Sequence, residues 1–426
     1  MKIAKRLAFI IMISLAVFII LFIYAVKSSS QNTNRTIVIE SKITERSSSY
    51  PEDSLTVITS SYYKADFIKK FFQGKNYRKS WTIPVKVPKL NLDTLHGGVE
   101  IIKEGGGKQT SSLRIKNSEG MILTLRSVLK NPEELVPDYL KRLGLENIVH
   151  DGISAQHPYA ALVCKKLSEE IDLLHTNPQL VFLPEQKKLK DFEEYKNQLY
   201  LLEYENKGTY NWIESENFQS IVDTKDLQSL RKELKDSLNI NYNNLVRARL
   251  FDFVIGDWDR HAKQWGWVIT KENDSYQANV LPTDRDNAFF NVDGLISQVL
   301  LNSGSIPYVQ NFDKKTIDFE NSVYDFDVYF LKNVEKKIFL EEAKYIESKL
   351  TDDKIKKAFD LWNKDLINAD ADRLLDVIIH KRNNLKTIAL NFYAALQQSG
   401  QVGAHLEGSD FDDSDSIPVK CFECNF

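Results

Sequence analysis

The sequence predicts an α+β protein in which strands dominate the first half and helices the second, behind an amino-terminal membrane helix. Two patterns support this. Alternating apolar and polar residues with hairpin turns run from 97 to 130, with a further strand-like run at 199–204. Apolar residues at helical spacing fill most of the chain after 207. Strands followed by helices predict two segregated parts, not an alternating parallel sheet. With 426 residues, 42% of them hydrophobic, the chain can form one large two-lobed domain.

The amino terminus carries a long apolar run. Lys2, Lys5 and Arg6 precede an uncharged stretch over 7–26, which as a helix would cover about 30 Å, the thickness of a bilayer core. A cleaved signal peptide usually has a shorter apolar region followed by small residues. We therefore expect an uncleaved signal anchor over 1–30, with a cleaved signal as the alternative. The basic residues keep the amino terminus cytosolic, which predicts that the rest is periplasmic, extracellular or lumenal.

Composition divides the remainder of the chain. Residues 31–54 are rich in Ser, Thr and Asn without a sustained apolar pattern, which predicts a tether between membrane and domain. The strand-rich part is expected over 55–206, the helical part over 207–400, and an acidic flexible tail over 401–426. The net charge is −3, and no basic stripe interleaves with aromatic residues, so we expect no nucleic-acid partner.

The strand-rich part is predicted from alternation and turn residues. Gly105-Gly106-Gly107 and 117–120 are turns between hairpin strands, and apolar residues on one face predict a helix over 159–174. A proline at position 84 marks the first strand as an edge strand. Strands are predicted over 81–87, 99–102, 113–115, 122–128 and 199–204.

The second half is predicted to be mostly helical, with one hairpin. Residues 266–269 and 278–281 can pair around a turn at 272–275. The helices are predicted over 226–237, 244–255, 334–350, 353–366 and 371–396.

Two clusters of acidic residues each follow an apolar run. Asp257 and Asp259 come after 250–255, and Asp284 and Asp286 come after 280–282, so a helix end and a strand end could deliver them to one place. Phosphoryl transfer needs one carboxylate to orient the attacking hydroxyl and a second to hold the metal that bridges phosphates. Carboxylate and amide oxygens suit Mg²⁺ or Mn²⁺. The alternative is that these carboxylates cap helices and turns.

These clusters carry a family resemblance. The segment 259–265, Asp-Arg-His-Ala-Lys-Gln-Trp, resembles the D-x-H-x-K-N-F catalytic loop of HipA-type kinases. It is also similar to the loops of type II phosphatidylinositol kinases and of secretory-pathway casein kinases. The segment 284–289 resembles their metal-binding D-N-G-x-x-F. The resemblance implies a two-lobed protein-kinase-like fold, with Asp259 as catalytic base and Gln264 and Asp284 or Asp286 as metal ligands.

Upstream features fit the same scheme. The resemblance implies that Gly105, Gly106, Gly107, Gln109 and Thr110 form the hairpin that covers the phosphates of ATP. It also implies a nucleotide hinge over 200–205, in which Glu203 and Tyr204 contribute backbone groups.

Three positions depart from the family pattern. Arg126 stands where a lysine holds the α- and β-phosphates, with Lys130 as the nearby alternative. Gln264 replaces an asparagine. The helix predicted from Tyr159 has no early glutamate to pair with the strand cation, its nearest acids being Glu169 and Glu170.

The resulting hypothesis is a membrane-anchored, ATP- and Mg²⁺- or Mn²⁺-dependent kinase. Its partners would be the nucleotide, the membrane through residues 7–26 and a hydroxyl-bearing protein, lipid or glycan acceptor. The alternatives are nucleotidyl (AMP) transfer on the same fold and a catalytically inactive kinase-like binding or scaffold module.

Overall fold

The computed structural model describes residues 2–28, 34–39, 53–106, 109–296, 298, 309–403 and 406. Gly107 of the predicted phosphate-covering hairpin, most of the predicted tether and nearly all of the acidic tail lie outside the described residues.

Helix α1 (Lys2–Lys27) contains the whole predicted span. Of the helices that the structure describes, it is the one long and apolar enough to cross a membrane. Its apolar side chains are largely exposed, Phe9 by 58% and Ile20 by 64%, so it is not the core helix of a globular domain.

A small antiparallel sheet follows, with strands β1 (Ile37–Ile39), β2 (Ser54–Ile58) and β3 (Val85–Pro88) in that order. Strand β1 lies within the predicted tether and pairs with β2, which the polar composition did not reveal. Helices α2 (Phe67–Gln73) and α3 (Arg78–Thr82) lie between β2 and β3. The strand predicted over 81–87 therefore begins only at Val85, because Trp81 is buried within α3.

The predicted hairpins form a five-stranded antiparallel sheet in the order β4-β5-β6-β8-β7. Helices α4 (Asp138–Leu143), α5 (Asn147–Gly152) and α6 (Ala160–Glu170) lie between β6 and β7. The predicted hairpins are thus confirmed. The helix predicted over 159–174 is present but ends at Glu170, and the strand at 179–183 was not predicted. The strands are β4 (Val99–Gly106), β5 (Ser111–Asn117), β6 (Ile122–Ser127), β7 (Gln179–Leu183) and β8 (Gln198–Tyr204).

The pleat of this sheet separates its core face from its cleft face. Leu123 and Leu125 of β6 belong to one apolar cluster together with Leu202 of β8. Arg126, one residue further, points to the opposite face because successive side chains alternate. It pairs across the ladder with Leu201, and Thr124 pairs with Glu203, so Arg126 and Glu203 share a face.

A second sheet has the order β10-β12-β11-β9. Strands β11 (Trp265–Glu272) and β12 (Ser275–Pro282) form the predicted hairpin, with Ile269 opposite Ala278. Strands β9 (Phe218–Asp223) and β10 (Leu238–Ile240) were not predicted from sequence. Helices α7 (Thr224–Leu234) and α8 (Tyr242–Ile255) overlap the predicted helices at 226–237 and 244–255.

Of the remaining helices, those at 336–349, 372–383 and 385–398 pack against α8. The helix predicted over 353–366 is interrupted, because Trp362 is extended and Asn363 caps a new turn at Leu366. The one predicted over 371–396 breaks at Asn384, whose backbone is not helical. These helices are α9 (Asp325–Leu331), α10 (Lys336–Lys349), α11 (Asp352–Lys357), α12 (Lys364–Leu366), α13 (Asp372–Asn383) and α14 (Leu385–Gln398).

Candidate active site

The first acidic cluster begins where α8 ends. Gly256 takes a left-handed conformation (φ +63°) as the helix C-cap, and a Cβ there would lie 2.5 Å from Cδ2 of Phe312. The chain turns sharply and leads into 257–260. It then forms a short helical turn over Ala262–Gln264, capped by the Nδ1 atom of His261, which accepts a hydrogen bond from the N–H of Lys263.

A buried arginine joins the two acidic segments. Arg260 donates to the carbonyl oxygens of Thr283 (2.8 Å) and Gln264 (3.1 Å), and its guanidinium lies 4.3 Å from the ring centre of Trp265. It also forms an ion pair with Asp252 (3.2 Å), whose carboxylate is fully buried. The end of β12 and the loop after α8 are therefore held together, as the sequence predicts.

Asp259 is held by side chains from both segments. Asn287 donates through Nδ2 to its Oδ2 (3.3 Å), and Nε2 of His261 lies 3.5 Å from its Oδ1. Burial, followed by the negative charges of Asp284 and Asp286, raises the pKa of Asp259 to about 7. Its carboxylate can therefore exchange a proton near neutral pH, as a general base must.

Two cations from the amino-terminal part reach the second acidic cluster. The Nη1 atom of Arg126 lies 3.3 Å from Oδ2 of Asp284, and the ammonium of Lys130 forms an ion pair with Oδ2 of Asp286. Asp284 has a left-handed backbone (φ +52°), which aspartate tolerates better than most residues. The cleft between the five-stranded sheet and the hairpin thus contains three carboxylates and two cations.

The pKa values of the two carboxylates in this cluster are shifted in opposite directions. Burial opposes ionisation of Asp284, but Arg126 and Lys130 outweigh it and hold its pKa below the usual value. Burial and the charge of Asp284 raise the pKa of Asp286. Burial likewise disfavours the charge on Arg126, but Asp284 and Glu203 outweigh it and raise its pKa. Strongly shifted pKa values in neighbouring groups are typical of functional sites.

Glu203 anchors the arginine from the neighbouring strand. Its Oε2 lies 3.4 Å from Nε of Arg126, and its Oε1 accepts a hydrogen bond from the hydroxyl of Thr176 (2.6 Å). The nearest acid of α6 weighed from sequence, Glu169, instead pairs with Lys166 (2.8 Å). The partner of the strand cation thus comes from a strand and not from the helix. Strand alternation could have indicated this, because Arg126 and Glu203 belong to adjacent strands.

The predicted hinge and phosphate-covering hairpin belong to strands β8 and β4 of the sheet that carries Arg126. The N–H of Tyr204 is bonded to the carbonyl of Thr176 (2.9 Å), and the Tyr204 ring stacks on Trp212 at 4.4 Å. Gly105 and Gly106 end β4, and a Cβ on Gly106 would meet the Thr110 carbonyl oxygen at 2.0 Å.

The far side of that hairpin leads towards Lys130. The carbonyl of Gln109 accepts from the N–H of Asn131 (2.8 Å), which brings the hairpin next to the residue following Lys130.

Asn287 and Gln156 support the site in roles that sequence reasoning missed. Asn287 bridges Asp259 to Gln156, whose Nε2 donates to Oδ1 of Asn287 (2.7 Å). Gln264, the predicted amide ligand, has its Nε2 3.5 Å from Nε2 of His261. The signal for Asn287 was its place directly after Asp286 in the motif.

The carboxylate oxygens of the cleft meet some of the requirements of a divalent-cation site. Among the described residues, no group of three or more His, Cys, Asp or Glu side chains has metal-binding geometry. Asp284 nevertheless has a buried Oδ1 atom without a hydrogen-bond partner among those residues, beside a second carboxylate. Hard oxygen donors of this kind suit Mg²⁺ or Mn²⁺.

A separate cavity of about 240 Å³ lies behind the loop. Asp257, Trp258, Asn311 and Lys381 are among its lining residues, whereas Asp259, Asp284 and Asp286 do not line it. This cavity is therefore distinct from the cleft that joins the three carboxylates and two cations.

Comparisons with known proteins give loose structural similarities, among them the following two. The chain is similar to the Helicobacter pylori proinflammatory kinase CtkA, with 13% identity and a TM-score of 0.35 over 66% of this chain and 94% of that one. It is also similar to the Shewanella oneidensis toxin–antitoxin protein HipA, solved with HipB and operator DNA. For HipA the identity is 10% and the TM-score 0.31, over 71% of this chain and 68% of that one. No family model and no curated protein matches the sequence. Because both scores are low, the proposal below rests on the side chains of the cleft.

Proposed function

We propose that this protein is a membrane-anchored phosphotransferase with a two-lobed protein-kinase-like fold, which moves the γ-phosphate of ATP to a hydroxyl of a protein, lipid or glycan. The supporting observation is the pairing across one cleft of Arg126 with Asp284 and of Lys130 with Asp286, beside Asp259. Cations for phosphates, carboxylates for metal and a carboxylate of near-neutral pKa are the groups that phosphoryl transfer requires.

Asp259 is the proposed general base. It accepts the proton of the acceptor hydroxyl as that oxygen attacks the γ-phosphorus; the bond to the bridging β–γ oxygen breaks, and ADP leaves with the electron pair. Asn287 and His261 hold the carboxylate. Burial and Arg260 lower the pKa of His261 to about 4, so its imidazole is neutral. Because Nδ1 accepts from the N–H of Lys263, the proton lies on Nε2, facing Asp259.

Asp284 is the proposed principal metal ligand, with Asp286 and the amide of Gln264 as the further candidates. Asp284 is the member of the acidic pair whose pKa is lowered, and its Oδ1 has no hydrogen-bond partner among the described residues. A bound Mg²⁺ or Mn²⁺ would neutralise charge on the phosphates. Arg126 and Lys130 would hold the phosphates, as cations that already face the acidic cluster. Glu203 compensates for the glutamate that α6 lacks.

Nucleotide-dependent thermal unfolding of the full chain in detergent tests this proposal. ATP with Mg²⁺ or Mn²⁺ is expected to raise the melting temperature, and neither ATP nor metal alone should do so fully. Asp284→Asn should abolish the metal-dependent part of this rise in melting temperature. Asparagine is the suitable replacement because it also tolerates a left-handed backbone. Asp274→Asn, in the exposed turn between β11 and β12, is the matched control and should behave as wild type.

Isotope labelling then separates the proposal from its alternatives. Transfer of label from γ-labelled ATP to a hydroxyl acceptor or to the protein itself, lost in Asp259→Asn, would support kinase activity. Transfer only from α-labelled ATP would favour nucleotidyl transfer. Absence of any metal-dependent nucleotide stabilisation would contradict the proposal and favour an inactive binding module.

A further inference from the structure

Helix α1 is not a free tail but packs against the body of the protein. The rings of Phe18 and Phe22 contact the edge of Phe72 in α2, with centroids 5.2 and 5.9 Å apart. Phe72 is only 2% exposed as a result. The hydroxyl of Tyr24 donates to the carboxylate of Asp66, the residue that caps α2. Removal of α1 would uncover this apolar surface, so the contacts favour a retained anchor.

These contacts fix where α2 lies along the anchor. Phe18 precedes Lys27, the end of α1, by nine residues, or about 14 Å of helix. If α1 crosses a bilayer and leaves it near Lys27, residues 18–24 lie within the leaflet of exit. Because α2 packs beside that segment, it must lie at the same depth or at the edge of the leaflet.

The outer face of α2 has the side chains that this position requires. Phe67 is 82% exposed and Phe71 is 54% exposed, and their spacing of four residues places them on one side of the helix. Lys70 lies on the same side, and Lys64 and Lys75 flank the helix, all three exposed. Two adjacent exposed phenyl rings are unfavourable in water, but aromatic rings with nearby lysines suit a membrane–water interface.

The inner face of α2 is fixed to the body by a buried ion pair. The ammonium of Lys69 lies 2.8 Å from Oδ1 of Asp151, and Arg78 bonds to the same carboxylate. Lys69 and Asp151 are each 1% exposed. Because α2 is fixed on this side, insertion of its outer face would orient the whole domain on the membrane.

We propose that α2 is a second membrane contact. The phenyl rings of Phe67 and Phe71 insert at the acyl–headgroup boundary of the leaflet that α1 leaves, and the exposed lysines bind lipid phosphates. The occupant of this surface is lipid, because the surface continues the apolar face of α1 and is rimmed by positive charge. The inference does not depend on nucleotide chemistry.

Spin labelling of the full chain in vesicles of phosphatidylcholine and phosphatidylglycerol tests the inference. The background carries Cys421→Ser and Cys424→Ser, whereas Cys164 is fully buried and remains. Nitroxides are attached at Phe67→Cys and Phe71→Cys, with Ile102→Cys as a control on β4, an apolar residue that is 49% exposed. Intact mass first establishes that α1 is present, and the melting temperature establishes that each variant is folded.

The expected result is that labels at 67 and 71 collide with oxygen several-fold more often than with a water-soluble nickel chelate, while the label at 102 shows the reverse. Nickel collisions at 67 and 71 equal to those at 102 would overturn the inference. So would dipolar broadening between labels on separate copies, which would show that a second copy covers the face, or loss of α1 by cleavage. None of these outcomes depends on ATP binding or phosphate transfer.

Discussion

Arg126 and Asp284 approach within 3.3 Å of each other, although one belongs to the five-stranded sheet and the other follows the hairpin of the second sheet. The same guanidinium lies 3.4 Å from Glu203. Arginine can satisfy two carboxylates at once because its donors are arranged in a planar fork. This residue therefore connects the two halves of the cleft.

Loss of the Glu203 charge should weaken nucleotide binding more than it weakens folding. Glu203→Gln retains an oxygen that can accept the hydrogen bond from Thr176, but it removes the negative charge that pairs with Arg126. We expect the KM for ATP to rise by about tenfold, equivalent to about 1.4 kcal/mol, with a smaller change in kcat. The control is Glu100→Gln, which removes the partner of Lys188 on strand β4 of the same sheet. An equal rise in the control would show that the effect is not specific to Arg126.

Replacement of Asp259 should stabilise the protein while it removes activity. The pKa of Asp259 is about 7 in the folded chain against 3.8 for the unconstrained group, so the folded state retains a proton that the unfolded state loses. The stability contributed by this proton is complete at low pH and is lost as pH rises through 7. Asp259→Asn should therefore be more stable than wild type at pH 8, by at most about 4 kcal/mol.

The advantage of Asp259→Asn in melting temperature should shrink towards pH 4, and phosphate transfer should fall by about 10²–10⁴-fold. In the wild-type protein, kcat/KM should rise as the pH increases through about 7, because Asp259 must be ionised to act as a base. A pH-independent difference in melting temperature would contradict the assigned environment of Asp259.

The buried arginine network should be costly to disturb. Asp252 accepts from Arg249 (2.7 Å) and Arg285 (2.5 Å) and pairs with Arg260, all of them buried. Asp252→Asn leaves positive charge without its counter-ion, so chemical unfolding should show a loss of about 3–5 kcal/mol. Asp376→Asn removes the partner of Lys314 in an exposed pair and should cost less than about 1 kcal/mol. Similar losses in both variants would refute a special role for the network.

Gly256 should be intolerant of a side chain for a steric reason. It shares a left-handed C-cap conformation with Gly144, at φ +63° and +65°, but only Gly256 has Phe312 where a Cβ would lie. Gly144→Ala therefore measures the conformational cost alone, about 1 kcal/mol. Gly256→Ala should cost more in unfolding free energy and should also reduce activity, because it displaces the start of the loop that contains Asp259. Equal costs would show that Phe312 adjusts freely.

The hairpins, α6, α8 and the meeting of the two acidic segments could be predicted because local patterns determine them. Alternation places β5 and β6, and an apolar run that ends in glycine defines the end of α8. The breaks at Trp362 and Asn384 could not be predicted, since the apolar spacing continues across them and packing decides where the helix ends. Strand β1 was missed because a three-residue strand in polar surroundings has too short a pattern.

The sequence by itself determined the apolar amino-terminal helix, the order of strands before helices and the acidic residues on which the proposed chemistry depends, because these follow from composition and local spacing. Only the tertiary structure decided which cation meets which carboxylate, that Glu203 and not an acid of α6 holds Arg126, and that α2 packs on α1. Such contacts join residues distant along the chain. They depend on how sheets and helices pack together, which local patterns do not specify.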